Sequence, residues 1–99
     1  MGCQKKKQQT ETLNELFKTY ENGMICKCAY DGKTVYSCSI NANDASGVIF
    51  DAKGNKIGGC NYAYGQVDTI CGELEECELV YCVEDNIWGL PYTDLYDLD

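Results

Sequence analysis

Eight cysteines hold most of the chemistry this sequence offers: Cys3, Cys26, Cys28, Cys38, Cys60, Cys71, Cys77 and Cys82. Eight in 99 residues is a density typical of short chains that supplement a small core with cross-links in an oxidising compartment. Each bridge stabilises such a fold by roughly 2–4 kcal/mol. Zinc fits less well, because its sites pair two C-x₂₋₄-C knuckles, often with His. Here there is one C-x-C, no C-x-x-C and no His. The missing C-x-x-C also argues against a thioredoxin-like redox role.

The absence of His removes Ser-His-Asp and Cys-His nucleophile pairs. The absence of Arg removes bidentate recognition of carboxylate or phosphate. "GNKIGG" has neither the spacing of a phosphate-binding loop nor a helix after it. Nothing singles out two of the sixteen carboxylates as an acid/base pair, although a carboxylate-based hydrolase stays open as an alternative. "NANDASG" and the C-terminal acids are rich in oxygen ligands but lack EF-hand spacing. No catalytic residue, metal or cofactor is expected. From Thr10 onward five lysines stand against sixteen acids, a net charge of −11, so nucleic acid is excluded as a partner.

The elements that must carry the cysteines can be read from periodicity. In "TETLNELFKTYENG", Leu13, Leu16, Phe17 and Tyr20 form one apolar helical stripe, with Thr10 or Thr12 as N-cap and Gly23 beyond the end. "MICKCAYDGKTVYSCSI" reads as a hairpin around Asp31-Gly32, and "GVIFDAKGNKIGGC" as a second one. "NANDASG" and "NYAYGQ" read as loops, "VDTICGELEEC" as a short helix or turn, and "ELVYCV" as a strand. The sum is an α+β domain in which an N-terminal amphipathic helix packs on a small, mostly antiparallel sheet of four or five strands. Residues 1–10 are expected to be a flexible tether and 11–99 a single disulfide-rich domain with an acidic C-terminal tail.

Counting outward from the Asp31-Gly32 turn puts Tyr30 opposite Lys33 and Cys28 opposite Val35. Cys38 then falls opposite position 25, near Cys26. A Cys26–Cys38 bridge is therefore expected, with Cys60, Cys71, Cys77 and Cys82 sharing the rest. In the tail, Trp88, Leu90, Tyr92 and Tyr96 form a candidate interaction patch, since Trp and Tyr are common anchors. Part of this tail is expected to dock on the body.

Cys3 stands apart from the other seven. "GC" followed by the polar "QKKKQQTET" looks like the junction at which a bacterial lipoprotein signal is cleaved and the cysteine acylated. Other uses compete: a place in the disulfide framework, which would allow four bridges, myristoylation at Gly2 with palmitoylation at Cys3, and an incidental cysteine. An exported form would carry a signal peptide that this sequence does not include.

The stretch "YDGKTVYSCSI…GVIFDAKGNKIGGC", from Tyr30 towards Cys71, resembles a group of small secreted bacterial lipoproteins of uncharacterised function. They pair a "GK-x-VY" strand with a "D-x-x-G-N" hairpin and several cysteines. The resemblance implies a lipid anchor at Cys3 and a place in the cell envelope, at the outer membrane or in the periplasm. It implies a non-catalytic module that binds an envelope or extracellular protein or ligand, and it carries no catalytic residues over. A second resemblance is to Kazal-type protease inhibitors, through Asp31, Gly32, Lys33, Thr34, Tyr36 and Cys38, with Gly58-Gly59-Cys60 as the closing element. That pattern is broken by Val35 between Thr34 and Tyr36, by a displaced cysteine, and by the missing helix between Ile40 and Gly47. It would imply an exposed rigid loop near Cys28–Thr34.

Overall fold

The computed structural model describes residues 2–42, 47–61 and 65–98, with side chains from residue 11 onward except Gln66. One helix packs on one antiparallel sheet, an α+β arrangement. The elements are α1 (Gly2–Tyr20), β1 (Gly23–Tyr30), β2 (Lys33–Ile40), β3 (Gly47–Asp51), β4 (Lys56–Asn61), β5 (Gln66–Val67), a 3₁₀ turn (Thr69–Gly72), β6 (Glu75–Cys82) and β7 (Thr93–Asp94). The sheet order is β5-β4-β3-β2-β1-β6-β7. Five strands are of ordinary length, and the two at the margins have two residues each. Short margins leave little unpaired backbone for another chain to join.

The β1–β2 pair turns at Asp31 (φ 51°) and Gly32 (φ 75°). Both central residues are left-handed, the condition for a two-residue turn that matches strand twist. Tyr30 faces Lys33 and Cys28 faces Val35 in this register. Asp51 builds the β3–β4 turn. Its Oδ1 accepts from Lys53 N and Asn55 N at 2.9 Å each, while Gly54 takes φ +89°.

Helix α1 lays its stripe on the sheet: Leu13, Leu16 and Tyr20 are buried and Phe17 is half-buried. They meet Ile25, Tyr36, Cys38, Val80 and Tyr81 in one core cluster. Phe17 sits edge-on to Tyr81 with centroids 4.9 Å apart. The backbone is helical from Gly2, so neither Thr10 nor Thr12 is an N-cap. Thr12 instead lies under the helix, its Oγ1 donating to Ala52 O at 2.7 Å, which ties α1 to the β3–β4 turn. The expected tether therefore falls on the first turns of α1, where the side chain of Cys3 lies outside the described residues.

The opposite face of the sheet has a smaller cluster of Cys28, Val35, Ile49 and Cys60, covered by Ile70, Cys71 and Leu74. Both disulfides lie here, Cys28–Cys77 and Cys60–Cys71. Where no helix covers the sheet and few apolar residues are buried, cross-links supplement the core.

The expected Cys26–Cys38 bridge does not form. Cys38 pairs with Ile25, and Cys26 with Ser37. Directly opposed residues share a face and successive residues alternate, so the two thiols lie on opposite sides of the sheet. Cys77 bonds Cys28 across β1 and β6, and Cys82 is a free thiol.

Candidate functional site

The C-terminal segment is held in place by two asparagines. Asn86 Nδ2 donates to Val83 O and to Leu90 O, both at 2.8 Å. Its Oδ1 accepts from Trp88 N at 3.1 Å and Leu90 N at 3.0 Å. One side chain thus closes the whole loop from Val83 to Leu90. Asn41, just after β2, accepts from Ile87 N at 2.8 Å and fixes that loop to the body. The chain then returns as β7, pairing Asp94 with Tyr81 and Thr93 with Cys82. Leu95 N donates to Val80 O at 2.9 Å, and Leu98 packs against the helix-side core.

The result is an ordered segment that displays apolar groups. Eight large apolar residues are exposed among the described ones, and five of them fall here: Ile87, Leu90, Tyr92, Leu95 and Tyr96. Trp88, the anchor expected from sequence, is half-buried. Tyr92 sits edge-on to Tyr81, with centroids 6.2 Å apart. Glu84, Asp85 and Asp97 are exposed beside this surface. Sequence reading missed Asn41 and Asn86. The run Asn86-Ile87-Trp88-Gly89 was the available signal for Asn86, because an Asn side chain that folds back on following amides favours a turn with Gly at positive φ; Asn41 had none, since its partner lies 46 residues away.

The free cysteines among the described residues do not converge on one site, since Cys26 and Cys38 lie on opposite faces of the sheet. Cys38 and Cys82 are fully buried and Cys26 is half-buried. Burial pushes the thiols of Cys26 and Cys82 up and holds Cys38 at about 12. Thiols kept protonated at neutral pH are poor nucleophiles. Among the described residues no three of His, Cys, Asp and Glu are grouped to hold a metal ion.

A cavity of about 630 Å³ between α1 and the β3–β4 turn includes Glu11 and Glu15 in its lining. Both acids come from one helix, one turn apart, so they share a rim. A glycosidase-type pair instead flanks its substrate from two sides. The inhibitor-like segment is built as a tight hairpin: Cys28 and Thr34 both lie within paired strands, and only Asp31 and Gly32 project beyond them.

Comparison with protein-family models, curated proteins and solved structures returned no match.

Proposed function

We propose that this chain is a non-catalytic interaction module, held at a bacterial envelope membrane by a lipid on Cys3 and docking a partner protein through its C-terminal surface. The observation that carries the reading is the rigid display of Ile87, Leu90, Tyr92, Leu95 and Tyr96 on a segment fixed by Asn41, Asn86 and β7. Exposed apolar groups held in one conformation cost little entropy to bury, which favours binding. The flanking Glu84, Asp85 and Asp97 select a partner whose apolar contact is rimmed by basic side chains. Two disulfides are consistent with an oxidising envelope or extracellular location. The Gly2-Cys3 pair and the resemblance to small secreted lipoproteins support the anchor.

The test is site-specific photo-crosslinking in the producing cell. A photoreactive phenylalanine at Leu90 or Tyr92 is expected to give one discrete adduct, and the same group at exposed Val67 none. Equal adducts from all three positions, or none, would remove the tail as a docking surface. The anchor is tested separately by metabolic labelling with a fatty acid, expected to be lost in Cys3→Ser. Undiminished labelling in that variant would refute it.

A further inference from the structure

The sheet end away from the tail carries a second concave surface. It opens where the Asp31-Gly32 hairpin, the β3–β4 turn and the 3₁₀ turn meet, with a volume of about 710 Å³. Its lining includes Val35, Tyr30, Ile70 and Ile57, the last left 41% exposed. Lys33 and Lys53 also line it, and both are exposed. Among the described residues neither ammonium is in an ion pair; the salt bridge found there is Lys18–Glu15, on the helix. Two of the five lysines after Thr10 therefore gather around one apolar hollow in a strongly acidic chain.

One carboxylate also lines the hollow, that of Asp51. Its oxygens are engaged by the turn it builds, accepting from Lys53 N, Asn55 N and Asn55 Nδ2. Those hydrogen bonds keep Asp51 ionised but already occupied, so the lining is net positive and the two ammonium groups are the donors left to meet a ligand. A neutral apolar molecule would leave them unused, and a bare inorganic anion would leave the apolar lining in water. Small-molecule sites commonly join an apolar lining to a few polar groups that fix orientation.

We propose that this hollow binds a small amphiphile, its apolar body against Val35, Ile57 and Ile70 and its carboxylate at Lys33 and Lys53. The site is separate from the tail surface and does not depend on it. The test is a titration of the whole isotope-labelled chain with decanoate below its micelle concentration, followed by amide shifts. Saturable shifts are expected at Tyr30, Val35, Ile57 and Ile70. K33Q/K53Q is expected to weaken decanoate by roughly fivefold, as two exposed ion pairs would, and to leave methyl decanoate unaffected. Both lysines are exposed, so the amide spectrum of the variant will show the fold intact. Shifts confined to the tail, no saturation, or unchanged decanoate affinity in K33Q/K53Q would each overturn the proposal.

Discussion

Cys28 and Cys77 face each other across β1 and β6 with Cα atoms 4.1 Å apart, although 49 positions separate them in sequence. The second bridge, Cys60–Cys71, spans 11 positions. A cross-link that closes a longer loop removes more freedom from the unfolded chain. Cys28→Ser/Cys77→Ser is therefore expected to cost about 4 kcal/mol and Cys60→Ser/Cys71→Ser about 3 kcal/mol. Urea unfolding without reductant ranks the two. The reverse order would mean that local contacts of the 3₁₀ turn outweigh loop closure.

The three free thiols among the described residues should label in order of exposure. Cys26 is half-buried, whereas Cys38 and Cys82 are sealed. Iodoacetamide on the folded protein is expected to modify Cys26 before Cys38 and Cys82. Its rate should go on climbing past pH 9, where an ordinary thiol levels off, because burial raises its pKa. Peptide mapping of the labelled chain reads this directly, and early label on Cys38 would contradict the packing described.

Alkali should unfold this protein in a defined window. Cys38 and Tyr36 are both held at about 12 in the fold, against ordinary values of 9.0 and 10.0. The folded state keeps these protons where the unfolded chain has lost them. Their contribution is therefore whole below pH 9 and falls as pH rises towards 12, by up to about 1.4 kcal/mol per group for each pH unit. Tyr36 is fully buried and its hydroxyl has no hydrogen-bond partner among the described residues. Tyr36→Phe is expected to gain up to about 1 kcal/mol at pH 7 and to lessen the alkaline loss. A clear destabilisation at pH 7 would reveal a partner for that hydroxyl.

Gly58 holds Ile70 against β4. A Cβ at Gly58 would stand 2.5 Å from Ile70 Cγ2, and the neighbouring Cys71 is tied to Cys60. Gly58→Ala is expected to lose about 1–3 kcal/mol through overpacking. At Gly59 the nearest atom is Asp68 Oδ2 at 4.0 Å, so Gly59→Ala should stay within about 0.5 kcal/mol of the parent. Urea midpoints of the two variants give the comparison.

Local chemistry was legible in the sequence where one element decides it. The Leu13–Leu16–Tyr20 stripe and the Asp31-Gly32 turn each carry their signal within a few residues, and the hairpin register followed from the turn. The Cys26–Cys38 pairing failed on parity: the same count that sets Cys38 opposite position 25 sends the two side chains to opposite faces. Cys28–Cys77 depends on β6 lying beside β1, a long-range choice that no local pattern encodes. The start of α1 was missed because Thr10 and Thr12 resemble caps, while Thr12 serves a contact forty residues away. The tail was singled out through its aromatic residues, of which Trp88 proves half-buried, but the asparagines that order it were not, because ordinary polar residues gain their role only from the backbone they meet.

Strand order also imposes a timetable. β1 to β4 are neighbours in sequence and in the sheet, so they can assemble as the chain is delivered N-terminus first. The partner for the other side of β1 is β6, which is made some fifty residues later. Until then β1 is an open edge carrying two thiols, Cys26 and Cys28, side by side on one face. In that interval Cys28 can be oxidised onto the wrong neighbour, and only exchange of that bond lets Cys77 take its place. Recovery of the native protein should therefore depend on a disulfide-exchange catalyst more than on any slow step within the helix.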